Sequence, residues 1–557
     1  MAKNRISNHI IPSLLLLDGV LCVFLAIFAF TLGLDPDPDW GKMRFVLFFM
    51  GFALCCTSVF LFSRNSGFAN AEKIKRIFLF THICFFIFFI YAWFITFGTF
   101  TQWRASTHYY SLLADAFGKG QLHVDVDPGQ ALLNTEDPYS SEDRPGFGED
   151  VWDLSLYKGK LYLYWGPIPA LLLTPVQLLL GTSIRDMYLV YFFLCGLLIF
   201  NSLIILKIWD LFFFDMPVRY VILSIFLIGL ILPILWALNI PDVYEAAIGA
   251  GQFFLIGGIY FIILALEKDF HKGYLFMGGL FWACSVGSRA INVFPIAFLT
   301  GLTLFWIWKI QNNARNWHEI IQLAGTLITP LIFGGLVIAW YNWARFDSPI
   351  EFGLRYQITI YNLNRDSSIV FHPDYLPFNI YAYVFQPFEF ISKFPFLQPV
   401  NLSRHLNSLN VIQPKLYASG RVVGFLFYAP CLLMAFVPFL SRRRDTSLLD
   451  EKKLQIFVVY LLGGSFLISF ITLLFYFYGQ MRFLGDFISQ LTMLAIIGYW
   501  SLLRSSRTSK IFIYLVSILI LITIIASFLL SFSSETSRME KFNPALMERI
   551  NLIIPGR

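Results

Sequence analysis

Windows of about 20 apolar residues recur along the chain, each long enough to cross a hydrocarbon core of roughly 30 Å as a helix. They fall near 12–33, 43–63, 76–98, 185–206, 219–239, 244–266, 273–288, 291–309, 319–341, 421–440, 454–477, 484–503 and 510–532. Composition agrees with that reading. Of 557 residues, 57% are hydrophobic, 14% are charged and 62 are Phe. A soluble fold cannot cover so much apolar surface with so few charges. The first window is too long and too weakly flanked by small residues for a cleavable signal peptide, so it is expected to remain. The chain reads as an α-helical polytopic membrane protein with about 13 transmembrane helices.

The distribution of Lys and Arg sets the orientation. Lys3 and Arg5 precede the first span, and "SRNSGFANAEKIKR" (63–76), "KIQNNAR" (309–315), "SRRRD" (441–445) and "LLRSSRTSK" (502–510) share its side. The other side holds "DPDPDW" (35–40) and an acidic loop at 99–184. The amino terminus is therefore expected in the cytoplasm and the carboxyl terminus outside. These anchors explain the net charge of +6, which gives no reason to expect nucleic acid as a partner. All seven Cys lie in apolar windows, so the outer loops have no disulfide framework. There is no zinc spacing and no Gly-rich nucleotide loop. Energy must come from an activated substrate or a gradient.

Two outer segments, 99–184 and 342–420, are too long to be plain connectors, and both are rich in aromatics and Pro. In "HYYSLLADAFGKGQL" (108–122), Tyr109, Leu112, Leu113, Ala116 and Phe117 share one helical face. That pattern predicts a helix in the interface plane. "KGKLYLYWGP" (158–167) reads as a β-hairpin turning at Lys158-Gly159, with Leu161, Leu163 and Trp165 on one face. "IPALLLTPVQLLLG" (168–181) is short for a span and reads as a second surface or re-entrant helix. Gly249, Gly251, Gly257 and Gly258 are expected only to allow close helix packing.

A span, an amphipathic helix, an acidic loop and a Gly-Pro-x-Pro turn into a second surface helix ending at Gly181, with Arg185 opening the next span, form one ordered set. It resembles the first extracytoplasmic loop of GT-C glycosyltransferases, integral membrane enzymes that use polyprenyl- or dolichyl-phosphate sugars. "PDVYEAAIGAGQ" (241–252), "FWACSVGSRAINVFP" (281–295), "YNWARFDSPIEFGLRYQ" (341–357) and "GQMRFLGDF" (479–487) are similar to stretches of the bacterial members. The resemblance covers roughly 76–490. The first two spans, an N-terminal transmembrane hairpin (1–75), are an addition to it; a GT-C-like module (76–341) including loop 99–184 and a second extracytoplasmic loop (342–420) follow. C-terminal transmembrane helices (421–532) and an extracytoplasmic tail (533–557) complete it. One departure stands out: where those enzymes commonly carry an acidic residue after the span opening the first loop, this chain has "QWRASTHYY" (102–110).

The resemblance implies transfer of a sugar from a polyprenyl-phosphate carrier to an envelope glycan, lipid or protein, outside the cell (inner) membrane. Such a reaction needs a carboxylate base and cationic donors for the leaving phosphate. Asp153, between Trp152 and a Tyr-rich hairpin, is the leading base; it also reads as a turn cap. Asp137 and Asp242 follow. Arg289, between two apolar spans, reads either as a phosphate ligand or as a snorkelling side chain. Arg482 and Asp486 either pair with each other or contact the donor. Arg345 and Arg355 are further phosphate candidates. Trp152, Tyr157, Tyr162, Tyr244, Glu245 and Tyr356 are candidates for sugar or acceptor binding, with Asp486. No metal ligand set and no certain cofactor is assigned. His123, Asp125 and Asp127 in "HVDVD", near His108, admit a divalent cation, Mg or Mn, or form a solvated strand. The competing readings are a secondary transporter or lipid-linked-oligosaccharide flippase, and a non-catalytic envelope assembly factor of the same fold.

Overall fold

The computed structural model describes residues 2–65, 71–104, 107–144, 151–311, 317–408, 410–440, 449–505, 508–533 and 538–554. The charged loops expected inside at 63–76, 309–315, 441–445 and 502–510 lie wholly or partly outside these residues. So do 145–150 of the acidic stretch and part of the 533–557 tail.

The helical, multi-pass architecture expected from the sequence is present. Eight helices among the described residues are long and apolar enough to cross a membrane. They are Lys42–Leu61, Phe78–Ile95, Asp186–Phe212, Val243–Glu267, Ala290–Ile310, Trp317–Phe346, Lys453–Leu474 and Lys510–Ser531. Val218–Gly229 and Leu232–Asn239, bent by 43°, form a ninth if taken as one broken span. Ile231 is extended and Pro233 occupies the first turn after it, so the hydrogen-bond ladder is interrupted there. Three more of the thirteen expected spans are shorter helices, Pro12–Phe28, Lys272–Ser288 and Ile488–Arg504. The thirteenth, 421–440, is divided into Phe425–Tyr428, a 3₁₀ stretch at Pro430–Phe436 and Val437–Leu440. By length and composition, eight or nine of the thirteen windows form helices able to cross a membrane among the described residues.

The Val243–Glu267 helix is the axis of the bundle, with 78% of its apolar window buried. The rings of Phe281 and Trp282 lie within 2.5 and 2.3 Å of where a Cβ on Gly257 and Gly258 would stand, so those glycines admit the next helix. The Trp317–Phe346 helix is peripheral and turns Phe333, Leu336, Trp340 and Trp343 outward. The first two helices pack along one another and join the rest through a Phe45–Trp103 stack, centroids 5.2 Å apart.

The two surface helices form at Tyr109–Gly118 and Ile168–Leu180. At 10 and 13 residues they are about 15 and 20 Å long, too short to span. They pack on each other, with Ser111 Oγ donating to Gln177 Oε1 (2.9 Å) and Gln177 Nε2 donating to Asp115 Oδ1 (2.7 Å). The hairpin pairs Ser155–Tyr157 with Lys160–Tyr162. Lys158 and Gly159, at φ 48° and 72°, supply the left-handed pair that a tight type I′ turn needs. "HVDVD" forms no strand; Asp125 pairs with Lys119 at 2.8 Å.

Candidate active site

The two long outer loops are joined at the base of the hairpin. The Asp153 amide donates to the Ile358 carbonyl (2.8 Å), the Ile358 amide donates to Leu154 (2.8 Å), and Ser155 Oγ donates to Gly353 (2.8 Å). This short ladder aligns Trp152–Ser155 with Gln357–Thr359 and turns Asp153 into the interior at φ 60°. Behind the hairpin, Gly166 lies flat against the end of the Lys272–Ser288 helix. A Cβ there would come within 2.1 Å of the Gly287 carbonyl oxygen, so only glycine allows this approach. The loop wall is thereby fixed two residues from Arg289.

Between these elements lies a cavity of about 590 Å³. Trp152, Asp153, Tyr164 and Trp165 line it from the first loop, Tyr244 from the axial helix, and Glu351 and Gln357 from the second loop. Arg289, Tyr476, Tyr478, Arg482 and Phe483 close the far side. The cavity also reaches Val293 and Phe294, which are exposed and belong to a membrane-crossing helix. Charged and aromatic groups therefore share one chamber with a lipid-facing flank.

Asp153 is 4% exposed, and Gln357 Nε2 donates to its Oδ1 at 2.7 Å. Burial pushes its carboxyl up to about 7, against the opposing pull of Arg482 and hydrogen bonds from Gln357 and Trp152. A carboxyl in that range can take a proton near neutral pH.

The two arginines of the cavity are held differently. Arg289 interrupts two helices and makes a two-pronged pair with Asp486, Nε to Oδ1 and Nη2 to Oδ2, both 2.6 Å. Ser285 and Asn292 brace the break, with Asn292 Nδ2 donating to Ser285 Oγ and Ser285 Oγ to Gly251. Arg482 lies over the Tyr244 ring, 3.7 Å from its centroid, and its nearest carboxylate is Glu245 Oε1 at 3.9 Å. Its buried Nε has no hydrogen-bond partner. A guanidinium resting on an aromatic face, its nearest carboxylate 3.9 Å away, can receive an anionic ligand.

The structure brings Asp153, Trp152, Tyr244, Arg289 and Arg482 to one cavity. Asp486 is one layer behind, paired with Arg289 and not with Arg482. Glu245 borders a separate small void with Arg482 and Gln252. The remaining expectations fall elsewhere. Asp137 accepts from the Tyr139 amide and from Asn362 Nδ2 (2.8 Å), so it stitches the two loops. Asp242 pairs with Arg538 at 2.6 Å. Arg345 is buried beneath the hairpin, where it donates to Leu163 O (2.6 Å) and Asn342 Oδ1 (2.8 Å). Arg355 pairs with Glu351 (3.1 Å) and donates to the Tyr356 hydroxyl. Tyr157 and Tyr162 do not line the cavity. The hairpin lies on the end of the Trp317–Phe346 helix, so Tyr157 donates to Asp347 Oδ2 (2.9 Å) and packs at a tilt against Tyr356, while Tyr162 meets Phe346.

Sequence reasoning missed Tyr164, Trp165, Gln357, Tyr476 and Tyr478. The aromatic runs "LYLYWGP" and "LFYFYGQMRF" contained the signal, since each leads into a turn that closes the cavity. It also missed Asp186, which is buried and accepts from the Tyr109 and Tyr110 amides (3.0 Å each) and Thr107 Oγ1 (2.8 Å). That carboxylate anchors the first surface helix by its N-terminus.

A divalent cation needs several oxygen ligands around one point. Among the described residues no three His, Cys, Asp or Glu side chains converge in that way. Arg482 and Arg289 bring positive charge to the wall that Asp153 faces.

No protein-family model matches the chain, and no curated protein matches it. Among solved structures, the fold is similar to that of the oligosaccharyltransferase of Archaeoglobus fulgidus. Its apo form gives a TM-score of 0.45 at 12% identity, over 82% of this chain and 56% of that one. The form tethered to an acceptor peptide with an NVT sequon gives 0.45 at 12%, over 82% and 55%. The complex with an inhibitory peptide and a dolichol-phosphate gives 0.41 at 12%, over 82% and 56%. This chain spans little more than half the length of those proteins.

Proposed function

We propose that this chain is an integral membrane glycosyltransferase that moves a sugar from a polyprenyl-phosphate carrier to an envelope acceptor, with inversion at the sugar carbon. The observation that supports it is one cavity holding a near-neutral carboxyl and two guanidiniums beside a lipid-facing apolar flank. The isoprenoid approaches past Val293 and Phe294. Its phosphate is received by the Arg482 guanidinium, while Arg289, fixed by Asp486, keeps the chamber cationic. Trp152, Tyr164, Trp165 and Tyr244 give flat faces for a sugar. Asp153 takes the acceptor's proton as its oxygen attacks the anomeric carbon, and the carrier phosphate leaves toward Arg482. The outer side of the cell membrane is the place of reaction on this reading, with the amino terminus in the cytoplasm. The acceptor is a glycan, lipid or protein.

The test is transfer from a synthetic polyprenyl-phosphate sugar by the full chain in nanodiscs. Asp153→Asn should lower transfer by about 10²–10⁴-fold while donor binding stays near wild type. Transfer at the wild-type rate would reduce Asp153 to a turn residue and favour a non-catalytic role.

A further inference from the structure

At the opposite end of the bundle a second cavity, of about 390 Å³, opens between helix ends. Asp186 lies beside the first surface helix and Phe212 at this other end, so about 40 Å of helix separates the two sites. Its wall is polar and basic. Arg219 follows the first residue of the Val218–Gly229 helix, Arg504 ends the Ile488–Arg504 helix, and Lys510 starts the Lys510–Ser531 helix. Among the described residues Asp215 is the one acidic side chain lining it, against these three cations.

The cations are held in distinct ways that leave charge for a ligand. Arg504 donates to the Phe212 carbonyl (2.8 Å) and meets Asp215 at 3.5 Å. Arg219 lies over Tyr220, 4.9 Å from the ring centroid. Two helices begin at the cavity, and their positive ends add to the field. A polar chamber with a net excess of two cations and two helix amino ends suits a phosphate.

The surroundings say which kind. Ile511, Tyr514, Leu515, Ile518, Ile522 and Ile525 form an exposed apolar stripe down the Lys510–Ser531 helix, starting at the cavity. Tyr514 belongs to both the stripe and the cavity wall. A soluble anion has no use for that stripe, whereas acyl chains tethered to a bound phosphate lie along it. We propose that this cavity binds the phosphodiester headgroup of an anionic glycerophospholipid in the leaflet opposite the candidate active site. Basic pockets between membrane helices recognise such headgroups through the same charges.

The experiment is native mass spectrometry of the full chain in detergent, titrated with phosphatidylglycerol, phosphatidylcholine or inorganic phosphate. Wild type should retain phosphatidylglycerol over phosphatidylcholine, and Arg219→Gln with Lys510→Gln should weaken that binding about thirtyfold. Asp215→Asn should tighten it about fivefold, a gain that misfolding cannot produce. Equal retention of the two lipids, wild-type affinity in the double variant, or no gain in Asp215→Asn would overturn the proposal. Displacement of the lipid by inorganic phosphate at equal concentration would also overturn it, by marking a free-anion site.

Discussion

Asp153 carries the sharpest consequences because its burial has an opposite sign for folding and for chemistry. Its folded carboxyl titrates at about 7, above the ordinary value near 4 of an unfolded chain. Between those values the folded state holds a proton that the unfolded state has released. Stability therefore falls as pH rises from about 4 through 7, by on the order of 1–4 kcal/mol. Asp153→Asn should accordingly be more stable than wild type at pH 8 and no different at pH 4, as read by thermal unfolding. Transfer, which needs the ionised base, should instead rise with pH through about 7. A flat pH–rate profile from 5 to 9 would separate Asp153 from the proton transfer. Arg482 makes an independent prediction. Arg482→Gln should lose donor affinity by more than tenfold, because a hydrogen bond from a charged group to a phosphate contributes about 1.5–3 kcal/mol. Unchanged donor binding by isothermal calorimetry would contradict that role. The type of these residues was legible in the sequence, since a carboxylate between aromatics and arginines at apolar span ends stand out. Their partners were not. Arg289 finds Asp486 across 197 positions, a pairing that sequence spacing does not encode.

At the scale of elements, the surface helices and the hairpin follow from local pattern. Apolar spacing over 109–117, a tight Lys-Gly turn and a prolyl start at 168 each act within a few residues, so the sequence predicts them closely. Which hairpin face meets the cavity depends on the second loop and on Phe346, where Tyr157 and Tyr162 pack, and local pattern does not encode that choice. Gly166 is the hinge point of this layer. Gly166→Ala should cost about 1–3 kcal/mol through overpacking and disturb transfer, because its Cβ meets backbone at 2.1 Å. Gly118→Ala is the control: its Cβ would meet only Leu178 Cδ2 at 3.6 Å, so thermal stability should hold. Equal losses in both variants would show that the Gly166 approach is not specific.

For the molecule as a whole, hydropathy identifies the class, while eight or nine of the described helices are long and apolar enough to cross. Helices such as Lys272–Ser288 and Ile488–Arg504 are apolar yet only 17 residues long. Proline divides 421–440, and the bent pair at 218–239 counts once or twice. The proposed sidedness has its own check. Ser141→Cys and Asp210→Cys should react with a membrane-impermeant thiol reagent from opposite sides, Ser141→Cys in intact cells and Asp210→Cys only after opening them. Labelling of both from one side would refute the arrangement. The central claim, that one chamber joins a lipid-borne phosphate to the Asp153 base, is tested most directly by a structure of the chain with polyprenyl phosphate bound. The account predicts the phosphate within hydrogen-bond distance of Arg482, the isoprenoid passing Val293 and Phe294, and Asp153 facing the space where sugar and acceptor meet. A phosphate bound away from Arg482, or an isoprenoid entering from another face, would contradict it.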